Sequence, residues 1–143
     1  MGESILGLVV AIFIGALIGL QREHIQQHSN VKDFAGFRTF ILIALFGGIL
    51  GHIIGKFDSL WIIAGFIAVV LFAVSAYYAL HKTTNSVSET TEISFVLTYV
   101  LGVMATTGYS ELAVVFGILI ATFLTFKERL HNLAKNLDNS TKF

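Results

Sequence analysis

Nine acidic and nine basic residues punctuate this sequence, and a few of them stand where their types could do chemistry. Asp33 and Arg38 flank the glycine of "KDFAGFRTF" (32–40), directly ahead of an apolar run. Arg22 and Glu23 close an earlier run, and "SETTE" (88–92), with Glu89 and Glu92 three residues apart, opens a later one. Residues three apart share a helix face, and acids suit a helix amino terminus. Two chemistries are open to such a set. Carboxylates offer the oxygen ligands that a hard ion such as Mg2+ takes, and one or two suffice because Mg2+ keeps several waters. Arginines bind carboxylates in bidentate geometry. Arg22 and Arg38, with Thr39 beside the latter, would then tie Glu23, Asp33, Glu89 or Glu92 into an ionic network. The plainer account is that charged helix ends lie among lipid headgroups, where arginine snorkels. It serves each residue singly but the set less well, because Asp33 and Arg38 are paired across a short glycine-containing turn.

Other reactive groups carry less. His24 and His28 have an H-x-x-x-H spacing with Glu23 adjacent, which could hold Zn2+ if that segment is helical; a solvated polar loop is the simpler reading. His52, His81 and His131 are isolated near expected helix ends and read as surface residues. No HExxH or GxSxG is present, so an enzyme is not expected, nor a cofactor, Mg2+ being the one candidate ion. There is no cysteine, hence no disulfide and no thiolate metal site. The formal net charge of zero gives no field for nucleic acid, and none is expected as a partner.

The elements that must position these groups are apolar. The chain is 55% hydrophobic and 13% charged, with mean hydropathy +0.81, where a soluble domain carries about 25% charged residues. The deficit points to lipid as solvent. Five runs are free of Asp, Glu, Lys and Arg: 4–21, 39–55, 59–80, 93–110 and 112–126. A spanning helix needs roughly 17–25 residues. The first four runs qualify, and the short fifth can be extended by snorkelling Lys127 and Arg129. The first run lacks a basic leader and a small-residue cleavage site, so it reads as a span rather than a signal peptide. Eight of the nine Lys and Arg residues fall on one side of the resulting topology, Lys56 on the other. The positive-inside rule then places the amino terminus outside and the carboxyl terminus in the cytoplasm. Trp61 would lie near the outer surface, Tyr77 and Tyr78 near the inner one.

The expected architecture is thus an all-α membrane protein, a bundle of five transmembrane helices forming one domain over 1–137, with a disordered tail over 138–143. In the tail segment "KERLHNLAKNL", Leu130, Leu133, Ala134 and Leu137 keep helical spacing. That fits a continuation of the fifth helix, or a helix for the membrane surface or a partner.

Glycines supply the packing signal. Gly15 and Gly19 sit four apart in the first run, and Gly47, Gly51 and Gly55 form a three-step ridge in the second, with Gly48 beside them. Small residues at this spacing let helix backbones approach closely in lipid, within one chain or between copies. They mark the first two helices as the packing hubs.

"GALIGLQRE" (15–23) followed by "DFAGFRTFILIALFGGILG" (33–51) resembles the MgtC/SapB family of small bacterial inner-membrane proteins. That family has a glycine-rich first helix ending in GLxRE-like residues, then AGLRT opening the second. Gly15, Gly19, Leu20, Arg22, Glu23, Ala35, Gly36, Arg38 and Thr39 match. "TTEISFVLTYVLG" and "GYSELAVVFGILIATFLTFKERLH" resemble the branch in which this unit precedes a second membrane domain. The departures are Gln21, where an acid is common, and Phe37, where Leu is common. The resemblance implies a multi-pass inner-membrane protein associated with growth in low magnesium.

Two functions compete. One is an ion-handling channel or transporter; its acids gather at one mouth, no run carries a charge at its middle, and five helices make so thin a pathway that a homo-oligomer, a dimer first, is required. The other is a non-transporting regulator that binds another membrane protein through its helix faces.

Overall fold

The computed structural model describes residues 2–28, 36–54, 58–82 and 90–142. Among them the chain is all-helical: α1 (Gly2–His28), α2 (Phe37–Ile53), α3 (Leu60–His81), α4 (Thr90–Thr106) and α5 (Ser110–Ser140). Three of these, over Gly2–Ile25, Leu60–His81 and Ser110–Ser140, are long and apolar enough to cross a membrane; the other two are shorter apolar helices.

Local sequence sets the boundaries. α2 starts after Gly36, whose extended backbone (φ −82°, ψ 175°) lets its carbonyl accept the Thr39 N–H at 3.0 Å. At α3 the Asp58 and Ser59 carbonyls accept the N–H groups of Trp61 and Ile62 at 3.2 and 3.1 Å. α4 ends at Thr106 because Gly108 takes φ +92°, a left-handed conformation that residues with a Cβ rarely adopt. The chain therefore turns just before Glu111, and that acid falls in the first turn of α5. α1 runs through residues 22–28, which the sequence reads as loop. α5 continues past Leu137 to Ser140, into the segment expected to be irregular. Ser140 Oγ and Thr141 Oγ1 there donate to the Leu137 carbonyl.

The helices alternate in direction. α1 runs antiparallel to α2, since a methyl on Gly15 would meet Phe40 and Ala44, and one on Gly19 would meet Phe37. α2 and α4 run parallel, Gly47 lying against Tyr99 and Gly51 against Thr106. α3 is antiparallel to α4, with Gly65 beside Tyr99 and Phe72 beside Phe95. α5 runs alongside α1, Gly117 near Ile14 and Thr125 near Gln21. The close packing of α1 on α2 fits the sequence reading, and the structure adds a third hub. It is α4 that touches each of the other four described helices, whereas α1 meets α2, α4 and α5. The reason is chemical: α4 presents Gly102 to the Ala44 backbone of α2, and its Ala105 carbonyl lies against Gly7 of α1, so backbones approach closely on both sides of α4.

The core is built around Phe40, Phe95 and Tyr99, each almost fully buried. Phe40 and Phe95 lie 5.0 Å apart between ring centroids, within the range of favourable aromatic pairs. Tyr99 passes its hydroxyl to the Ile62 carbonyl at 2.8 Å. Gly65 makes room for it, because a methyl there would come within 2.5 Å of the phenol oxygen.

Candidate functional site

Alternation brings the end of α1, the start of α2, the end of α3 and the start of α4 to one end of the bundle. There α4 carries Thr91, Ser94 and Thr98 at steps of three and four, all buried. They form a buried polar stripe on a largely apolar helix, and Ser94 of that stripe meets α1. Arg22 reaches into it. Its side chain is only 4% exposed, and Nη2 donates to Ser94 Oγ at 3.3 Å. Thr98 Oγ1 donates to the Ser94 carbonyl at 2.6 Å. One residue earlier on α1, Gln21 Nε2 donates to Thr125 Oγ1 of α5, which itself donates to the Ala121 carbonyl at 2.9 Å. Two adjacent α1 side chains thus tie α1 to α4 and to α5. Toward the interior, the Phe40–Phe95–Phe72 cluster closes the stripe with aromatic rings.

Glu92 sits two residues before Ser94 and is half-buried. It edges a groove of about 290 Å³ between α3 and α4, whose remaining walls are Val70, Ala73 and Val74 on one side and Ile93, Val96 and Leu97 on the other.

The remaining sequence candidates distribute unevenly. Glu23 is half-buried behind Arg22, and His24 is exposed on the same turn of α1. Arg38 is exposed at the start of α2, with Thr39 half-buried beside it. Asp33, Gly55 and Glu89 lie outside the described residues. Among the described residues no three His, Cys, Asp or Glu side chains come close enough to hold a metal. Arg22, Arg38, Lys82 and Lys127 lie toward this end together with Glu23, Glu92 and Glu128, while Glu3, Asp58 and Glu111 lie toward the other, which has no Lys or Arg among the described residues.

The sequence profile of the MgtC family matches residues 8–133, most of the chain and all of the tied helices. The chain belongs to the MgtC family. Membership and the three long apolar helices together point to a membrane protein linked to magnesium homeostasis. No curated protein and no solved structure matches the chain. Within this MgtC-family fold, Gly15 and Gly19 seat the first motif on the second, and Arg22 buries what reads as a headgroup charge. Sequence reasoning overlooked Ser94 and Thr98. Their signal was present: polar residues at 91, 94 and 98 keep helical spacing inside an apolar run, which marks a face that another helix must cover.

Proposed function

We propose that this chain is a multi-pass inner-membrane protein of magnesium or other cation homeostasis. It has five spans, the amino terminus outside and the carboxyl terminus in the cytoplasm, and it works as a homo-oligomer in which any ion path runs between copies rather than through one. The observation that carries this reading is the use made of interior polar groups. Arg22, Gln21, Thr106 and Tyr99 each bond to a neighbouring helix, so the interior of one copy is a tied, packed core. Carboxylates that an ion could meet, Glu23 and Glu92, stand toward the proposed cytoplasmic end, and Mg2+ with its retained waters needs only one or two of them.

The same ties favour a second reading, a non-transporting regulator that engages other membrane proteins through its outer helix faces and has no enzymatic activity. One experiment separates the two. Full-length protein is reconstituted into liposomes holding a Mg2+-sensitive dye, and external Mg2+ is added under an inside-negative potential. Transport predicts influx above protein-free vesicles, lowered several-fold in Glu92→Gln. Influx equal to that of empty vesicles, from protein whose fold is intact by circular dichroism, leaves the regulator.

A further inference from the structure

α5 has 31 residues, about 46 Å of helix at 1.5 Å per residue, against a hydrocarbon core of about 30 Å. From Arg129 to Lys142 every residue is exposed. In that stretch the large apolar side chains are Leu130, Leu133 and Leu137, at 53%, 58% and 65% exposure. Their steps of three and four are those of a heptad seam, and the alternation runs back without a slip through Phe126 and Phe123. It continues through Leu119 and Phe116 to Leu112, all exposed. The face that α5 buries against α1 and α4 is another one, made of Ala113, Gly117, Ala121 and Leu124. A strict 3.5-residue repeat is the signature of a helix paired with a second helix in a left-handed coil.

We infer that this seam is covered by α5 of a second copy, the two helices forming a parallel coiled coil that starts in the membrane and continues into the aqueous phase. Lipid does not account for the seam, because the leucines persist where the other residues are Lys, Arg, Asn and Asp. Nor can the outer part lie flat on the bilayer. α5 is one uninterrupted helix, its last glycine is Gly117 and the chain has no proline, so it has no hinge at the membrane boundary. Copies inserted with the same orientation, as the proposed function has them, bring their α5 helices together in parallel. In that pairing Arg129 of one copy stands opposite Ala134 of the other, Thr122 opposite Lys127 and Asn136 opposite Thr141. No like charges meet across the flanks of the seam.

The absence of native cysteine makes the test direct. Leu130→Cys and Leu133→Cys place a thiol on the seam, and Lys135→Cys places one on the opposite side of the helix. Full-length variants in liposomes are treated with a mild oxidant. The expected result is a covalent dimer at least five-fold more abundant for the two seam variants than for Lys135→Cys. Leu133→Asp in the Leu130→Cys background should abolish that dimer while the bundle's circular dichroism stays unchanged. Equal cross-linking at all three positions, or seam cysteines that remain monomeric, would overturn the inference. So would quenching of a fluorophore at position 133 by brominated lipids, which would lay the helix on the bilayer. Failure of the Mg2+ flux measurement leaves the cross-linking outcome untouched, so the two readings fall separately.

Discussion

Arg22 and Arg38 look alike in the sequence, each beside a glycine-bearing motif at a helix end, yet the fold treats them differently. Arg22 is enclosed by α4 and bonded to Ser94, whereas Arg38 is exposed. Arg22→Ala should therefore cost about 1–2 kcal/mol, the range for interhelical polar contacts and for bonds to a charged group. Arg38→Ala should change melting by no more than experimental scatter. A double-mutant cycle over Arg22→Ala and Ser94→Ala, read by thermal unfolding in detergent, should return a coupling of roughly 0.6–1.7 kcal/mol. Additive losses, or an Arg38→Ala loss as large as that of Arg22→Ala, would mean that the contact contributes nothing special. The two motifs were legible as a charged end; the burial of one arginine was not. It depends on α4 arriving over α1, a contact between residues 72 apart in sequence, to which neither local motif refers.

At the scale of elements, the glycines divide by what they face. A methyl on Gly102 would run into the Ala44 backbone, one on Gly47 into the Tyr99 carbonyl and one on Gly51 into Thr106 and Val103, while Gly36 has open space around it. Backbone cannot swing aside as a side chain can. Gly102→Leu and Gly47→Leu should separate α2 from α4 and destabilise by more than about 3 kcal/mol, beyond ordinary overpacking. Gly36→Ala should melt like the parent. The readout is the unfolding midpoint in one detergent, and a Gly102→Leu protein that melts normally would show that α2 and α4 do not pack this closely. The ridge at 47 and 51 was visible in the sequence because four-residue spacing is a local property. Gly102 and Gly65 were not, since each stands alone in its helix, and a lone glycine reveals its purpose only through the neighbour it admits. Helix bounds followed the charge-free runs closely where charges bracket them, as for α3. They departed at 107–111, where Gly108 rather than Glu111 makes the turn.

For the whole molecule, the described Lys and Arg residues gather toward the Arg22 end, while acids stand at both ends. Lys and Arg are retained on the cytoplasmic side during insertion. Cysteines at Ser140 and Ser59 should accordingly react with impermeant reagents from opposite faces of the membrane, Ser59→Cys from outside intact cells and Ser140→Cys only after the cells are opened. Labelling of Ser140→Cys in intact cells would reverse the proposed orientation. Alternation of five helices was readable from composition and run length. The position of α4 at the centre was not, because hydropathy reports how greasy a helix is and says nothing about how many neighbours it has.

The central position of α4 also sets an order of events at the ribosome. The glycine face of α2 is complete once residue 53 has been made, but the helix that covers it is fourth in line. α1 and α2 can close as a hairpin early, through Gly15 and Gly19. The adjoining strip of α2, with Gly47 and Gly51, then waits for about fifty further residues, on the order of several seconds at ordinary elongation rates. During that interval a small-residue surface fit for any helix stands open in the bilayer. The nascent chain is at its most promiscuous just before α4 emerges, and a partner or insertion factor that shields α2 would act in that window and be displaced when Gly102 docks.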